Sequence, residues 1–143
     1  MTKRSFPDVN VWFALAVADH PHHRAAAAWW DQETSTIGFS RLTQLGLLRL
    51  LTTSSAMGGA ALTNAEALGV YDALVSDTRV RVFPELAALD PQFRSLAGIQ
   101  AASPKIWVDA YLAAYAAANE AVLVTFNQAL AARGAGECLV LSR

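Results

Sequence analysis

Val122-Leu123-Val124-Thr125-Phe126, followed at once by Asn127, is the stretch that sets the fold class. It is a run of β-formers without polar alternation, the pattern of a strand covered on both faces. Such a strand belongs to a sheet with helices on both sides, so strands and helices should alternate along the chain. Downstream, residues 129–132 read as a short helix ending near Gly134, and Cys138-Leu139-Val140-Leu141 reads as a closing strand. Upstream, Trp107-Val108-Asp109-Ala110-Tyr111-Leu112-Ala113-Ala114-Tyr115 reads as a helix. Ala110, Ala113, Ala114 and Ala117 recur at helical spacing and predict a small-residue seam where that helix lies close against the sheet. Asp109 sits on its first turn. Aspartate is a weak helix former and costly to bury, so the helix dipole, a hydrogen bond or a cation has to compensate it there.

The rest of the chain follows the same alternation. Ser5-Phe6-Pro7-Asp8-Val9-Asn10 is expected to be a first strand, with Pro7 tolerated near its start or on an edge. Residues 11–17 read as a helix. His20-Pro21-His22-His23-Arg24 punctuates the chain, and Pro21 suits the first turn of a helix through Ala25 to Trp30. Thr36-Ile37-Gly38-Phe39-Ser40 is a second strand. Residues 42–51 place Leu at six positions, too densely for a one-sided helix, which predicts burial over most of the circumference. Residues 52–61 form a loop turning at Gly58-Gly59. Thr63 and Glu66 have the spacing of a capping box, opening a helix to about Val75. Val80-Arg81-Val82-Phe83 is a third strand stopped by Pro84, and Asp90-Pro91 opens another short helix. The expected fold is therefore a three-layer α/β/α arrangement with a mainly parallel sheet and right-handed crossovers.

Composition narrows the function classes. At 143 residues and 54% hydrophobic, the chain is read as one domain over 1–143. No stretch approaches the roughly 18 consecutive apolar residues of a membrane span, and the start lacks a signal peptide's apolar core, so a cytoplasmic location without a membrane partner is expected. A formal net charge of -1 argues against a strongly basic nucleic-acid binder, so any nucleic-acid site must be local. Cys138 is the single cysteine and reads as a small core residue. His20, His22 and His23 have no cysteine near them and read as a solvated loop rather than a zinc site. Trp29 and Trp30 read as core and interface residues rather than base-stacking platforms.

In parallel α/β sheets ligands bind beyond the carboxyl ends of the strands, where the strand order reverses. Asp8 ends the first strand, Asn127 follows the fourth, and Asp109 lies on the helix feeding the fourth, so the three should converge. Two carboxylates and an amide oxygen are hard donors suited to Mg²⁺ or Mn²⁺. A metal there would activate water and neutralise charge on a phosphodiester. Competing structural roles stay open: Asp109 as a charge satisfied by the helix dipole, and Asn127 as the cap of the last helix. Of the cations Arg41, Arg49, Lys105 and Arg133, Arg41 is the best placed for a substrate contact.

The segments Phe6-Pro7-Asp8-Val9-Asn10-Val11-Trp12, His20-Pro21-His22-His23 with Trp29-Trp30, residues 40–51, Trp107 to Ala114, and Val124-Thr125-Phe126-Asn127 together resemble, in order, a PIN-domain ribonuclease of the VapC toxin type. That resemblance implies a Mg²⁺- or Mn²⁺-dependent endoribonuclease, an RNA substrate, a small VapB-type antitoxin as partner, and a homodimer. It implies catalytic and metal-binding roles for Asp8 and Asp109. Two positions depart from the family pattern: Gln44 and Asn127 stand where many relatives have acids. Asn127 is then an auxiliary ligand and Gln44 a group that positions water or metal, with Glu85 as a possible further charge. The dense leucine helix also offers a dimer or antitoxin surface. The departures favour an alternative, a PIN-fold module that binds its antitoxin and RNA without efficient hydrolysis. A phosphoaspartyl enzyme of the haloacid dehalogenase type ranks below both, because it needs an acid where this chain has Asn10.

Overall fold

The computed structural model describes residues 3–132 and 136–142. The five strands β1 (Arg4–Pro7), β2 (Thr36–Phe39), β3 (Val80–Val82), β4 (Val122–Thr125) and β5 (Cys138–Val140) form one sheet in the order β3-β2-β1-β4-β5, with every pairing parallel. Parallel neighbours require crossovers, which here run through helices. These are α1 (Val9–Ala16), α2 (His23–Gln32), α3 (Arg41–Leu51), α4 (Asn64–Val75), α5 (Leu89–Ala97), α6 (Ile106–Ala118) and α7 (Gln128–Ala132). Gly134, the expected end of the last helix, lies outside the described residues, as does Arg133.

β4 shows why the sheet is covered twice. Leu123 belongs to a core with Phe6, Phe83, Leu89, Leu112, Tyr115 and Leu130, whereas Val124 belongs to another with Trp12, Trp29, Phe39, Leu47 and Leu51. Helices α1 to α4 therefore cover one face and α5 to α7 the other, giving the expected three layers. Both residues are buried, so neither face of this strand meets water. Trp12 stacks on Phe39 with ring centroids 3.8 Å apart, pinning α1 to β2. The alanine seam lies as its spacing predicts, with Ala110, Ala113 and Ala114 buried and Ala117 half-buried.

Local signals are answered individually. Gly58 and Gly59 take φ of 61° and 88°, the left-handed region that suits glycine, at the expected turn. Thr63 and Glu66 form the reciprocal capping box, at 2.9 and 3.1 Å.

Three expectations change. The first strand stops at Pro7, because Asp8 caps α1 and Val9 and Asn10 are already helical. Pro21 lies in the turn before α2 rather than in its first turn, and His22 occupies the cap position. Helix α3 is not buried around most of its circumference: Thr43, Leu47 and Leu51 are its buried residues, and Leu45 is 55% exposed. Where α3 meets α1 it carries Gly46, and a Cβ there would come within 2.7 Å of Val9 Cγ2. The missing side chain is what lets the two helices approach.

Candidate active site

Strand order reverses between β1 and β4: from β1 the chain builds outward through β2 and β3, then returns to add β4 on the other side of β1. The carboxyl edge at that switch point carries Asp8 and Thr125. Asp8 is only 5% exposed. Its backbone N–H donates to Val124 O at 2.9 Å, continuing the β1–β4 ladder for one more residue. Its side chain then turns the chain into α1, with Oδ1 accepting from Val11 N–H at 3.1 Å. Oδ2 accepts a short hydrogen bond from the Thr125 hydroxyl. Thr125 in turn accepts from Asn127 N–H at 3.0 Å.

Burial pushes the Asp8 carboxyl above its usual value, against the opposing hydrogen bonds of Thr125 and of the Val11 and Asn10 backbone, and the charge of Asp109 adds to the rise. That last effect places Asp109, half-buried in the first turn of α6, within electrostatic reach of Asp8. Ion pairs among the described residues are Arg79 with Asp77 and Arg94 with Asp90, so neither site carboxylate is neutralised by a side chain. Carboxylate oxygens are the hard donors that suit a hard divalent cation. Among the described residues no third His, Cys, Asp or Glu completes a larger cluster. Water and phosphate oxygens would fill the remaining positions.

The other candidates stand elsewhere. Asn127 is exposed, and its Oδ1 accepts from Ala129 N–H at 2.9 Å and Leu130 N–H at 3.3 Å, so both lone pairs serve the start of α7. The capping role is the one its hydrogen bonds show. Gln44 has its hydrogen bond within α3. Its Oε1 accepts from Arg41 Nη1 at 2.5 Å, and the α3 residue facing the start of α1 is Gly46. Glu85 is exposed and accepts from the Tyr111 hydroxyl at 2.6 Å, adding no charge to the pair.

The histidines are packed rather than solvated: His22 stacks on Phe126 at 4.6 Å, His20 meets Phe13 edge-on, and His23 Nδ1 lies 2.8 Å from Ala14 O. Trp29 is buried and donates to Glu33, while Trp30 is half-buried beneath the Arg79 guanidinium. Arg49 and Lys105 are exposed. The residue that sequence reading missed is Thr125. Its signal was a lone hydroxyl in an aliphatic strand, one residue from the sheet edge where Asp8 ends.

The comparisons with known proteins identify the family and the fold. The PIN domain family model matches residues 5–135. Ribonuclease VapC41 of Mycobacterium tuberculosis is 42% identical over 142 residues, covering 95% of this chain and 97% of that protein. Ribonuclease VapC29 of the same organism is 32% identical over 127 residues, covering 87% and 86%. Among solved structures, M. tuberculosis VapC20, described as a sarcin-ricin loop cleaving toxin, superposes with a TM-score of 0.68 at 21% identity, covering 90% of this chain and 94% of that one. VapBC2 from Rickettsia felis, bound to a DNA fragment from its promoter, gives 0.67 at 14% identity, covering 97% and 99%. At those identities the two structures speak for the fold alone.

Proposed function

The chain belongs to the PIN-domain family, and from that membership we infer that it is a divalent-metal-dependent endoribonuclease, the toxin of a VapBC-type pair acting in the cytoplasm, with Mg²⁺ or Mn²⁺ held by Asp8 and Asp109. The observation that carries the reading is the buried carboxylate of Asp8 at the β1–β4 switch point, with the charge of Asp109 close enough to raise its pKa. When bound, the metal supplies Lewis acidity that activates water and offsets phosphodiester charge. The protein's own part is orientation and exclusion of water. Thr125 and the Val11 N–H each fix one oxygen of Asp8, so its remaining lone pairs have a set direction. α6 carries Asp109 within electrostatic reach of Asp8, and burial of Asp8 limits screening of that interaction by bulk water. The expected partners are a VapB-type antitoxin, as in the Rickettsia felis and Haemophilus influenzae VapBC structures, and a second copy of the chain.

One observation favours a second reading. With neutral amides at 44 and 127, and the Asn127 oxygen used in capping, Asp8 and Asp109 supply two formal charges for the metal, which suits a module that binds antitoxin and RNA without efficient hydrolysis. RNA cleavage with Mn²⁺, with Mg²⁺ and with chelator separates the two. The nuclease reading expects metal-dependent cleavage that Asp8→Ala abolishes. Silence from this chain with recovery in Asn127→Asp supports the binding module, and cleavage indifferent to chelator and to Asp8→Ala overturns the site.

A further inference from the structure

Arg41 and Gln44 lie three residues apart on one face of α3, and the amide oxygen of Gln44 accepts from the guanidinium at 2.5 Å. The partner is neutral, so the hydrogen bond restrains the guanidinium without cancelling its charge. Among the described residues no carboxylate pairs with Arg41. Its place in the fold is also unusual for a structural cation. It is the first residue of α3, where the helix dipole disfavours positive charge, and the first turn of that helix holds no acid.

The sheet register sets the start of α3 level with Asp8. Ser5 pairs with Ile37, so Asp8 and Ser40, each three residues further on, reach the same level at the carboxyl edge of adjacent strands. Ser40 is fully buried and locked by its reciprocal bonds with Thr43, which fixes where α3 begins. Arg41 follows it directly, exposed at the rim.

We propose that Gln44 is a positioning residue that holds the Arg41 guanidinium for an RNA phosphate flanking the scissile one. The assignment rests on the ribonuclease reading above and gives its substrate strand a direction, from the Asp8–Asp109 pair across the end of β2 to α3. One guanidinium N–H is used by Gln44, and the others remain for phosphate oxygens in bidentate geometry. A glutamate at 44 would keep the acceptor but neutralise the cation, so the amide is the group that both holds the guanidinium and leaves its charge free.

The test is binding of a fluorescently labelled single-stranded RNA in chelator, with the full chain and its Arg41→Ala, Gln44→Leu, Gln44→Glu and Arg41→Ala/Gln44→Leu variants. Arg41→Ala is expected to weaken binding about tenfold and to lower the salt slope by about 0.7 to 1, the contribution of one phosphate contact. Its melting temperature stays level or rises, because the cation opposes its own helix dipole. Gln44→Leu weakens binding several-fold, and the double variant binds no worse than Arg41→Ala alone, since two residues acting as one unit are not additive. Gln44→Glu binds as poorly as Arg41→Ala. In metal the same variants raise KM with kcat preserved, the mark of ground-state binding. Additive losses, or Arg41→Ala binding like the parent while the parent cleaves RNA, overturn this assignment alone. A parent that neither binds nor cleaves RNA overturns it together with the ribonuclease reading.

Discussion

At the scale of single residues the site depends on how Asp8 is held. One oxygen caps α1 through Val11 and the other takes the Thr125 hydroxyl, so the carboxylate is a structural hinge as well as a ligand candidate. Thr125→Val keeps the volume and the β-propensity but leaves a buried carboxylate oxygen without its donor. That change is expected to lower stability by about 1–3 kcal/mol, the range for an orphaned buried polar group, and to lower cleavage as Asp8 loses its fixed direction. Urea denaturation and single-turnover cleavage of the same variant read the two effects, and unchanged values in both contradict the arrangement. Thr125 was hard to see in the sequence because threonine is itself a good strand former. Asp8 was legible as a site residue but not as a cap. Its backbone, at φ -74° and ψ 174°, is extended, as in the strand it leaves.

At the scale of elements, α7 and α3 set the hydrogen bonds of the two amides, Asn127 and Gln44. α7 is five residues long and starts on the Asn127 amide oxygen. Asn127→Ala is therefore expected to destabilise the fold by about 1 kcal/mol, the usual worth of an N-cap, while leaving metal affinity within about twofold. Chemical denaturation beside a metal titration checks this, and a large fall in affinity with little loss of stability would return Asn127 to the ligand shell. Capping and ligation place the same residue type at the same position, so the sequence alone left both open. The orientation of Gln44 was illegible for another reason. It depends on how α3 rolls against α1, and that roll is fixed by the contact of Gly46 with Val9. The leucine count of α3 likewise overstated its burial, because composition reports how much of a helix is apolar and not which neighbours cover it.

At the scale of the whole molecule, the architecture was the most legible level. The unalternating β4 announced a sheet covered twice, and the rule for switch points singled out the carboxyl edge between β1 and β4, where Asp8 lies buried. Layer and sheet are clasped at the opposite edge by Glu33. Its carboxylate accepts from the Ser5 hydroxyl at 2.9 Å, Trp29 Nε1 at 3.2 Å and the Thr34 and Ser35 N–H groups at 3.0 Å, tying the end of α2 to β1. Burial alone would raise this carboxyl, but the Ser35 and Ser5 hydrogen bonds and the Lys3 charge outweigh it and hold it below its ordinary 4.5. A depressed folded-state value means stability that is present above the unfolded value and lost as pH falls through the folded one. Glu33→Gln should thus melt below the parent at neutral pH, with the gap closing as pH drops below about 4.5. A gap that stays constant with pH contradicts the clasp.

The central claim is that the two carboxylates at the β1–β4 edge form a divalent-cation site, and calorimetric titration of Mn²⁺ into the chelator-treated protein, its Asp8→Asn variant and its Asp109→Asn variant tests it most directly. One saturable site is predicted for the parent, with affinity lowered about tenfold or more in each variant while both keep a cooperative thermal transition. Equal Mn²⁺ binding by all three folded proteins would contradict the site.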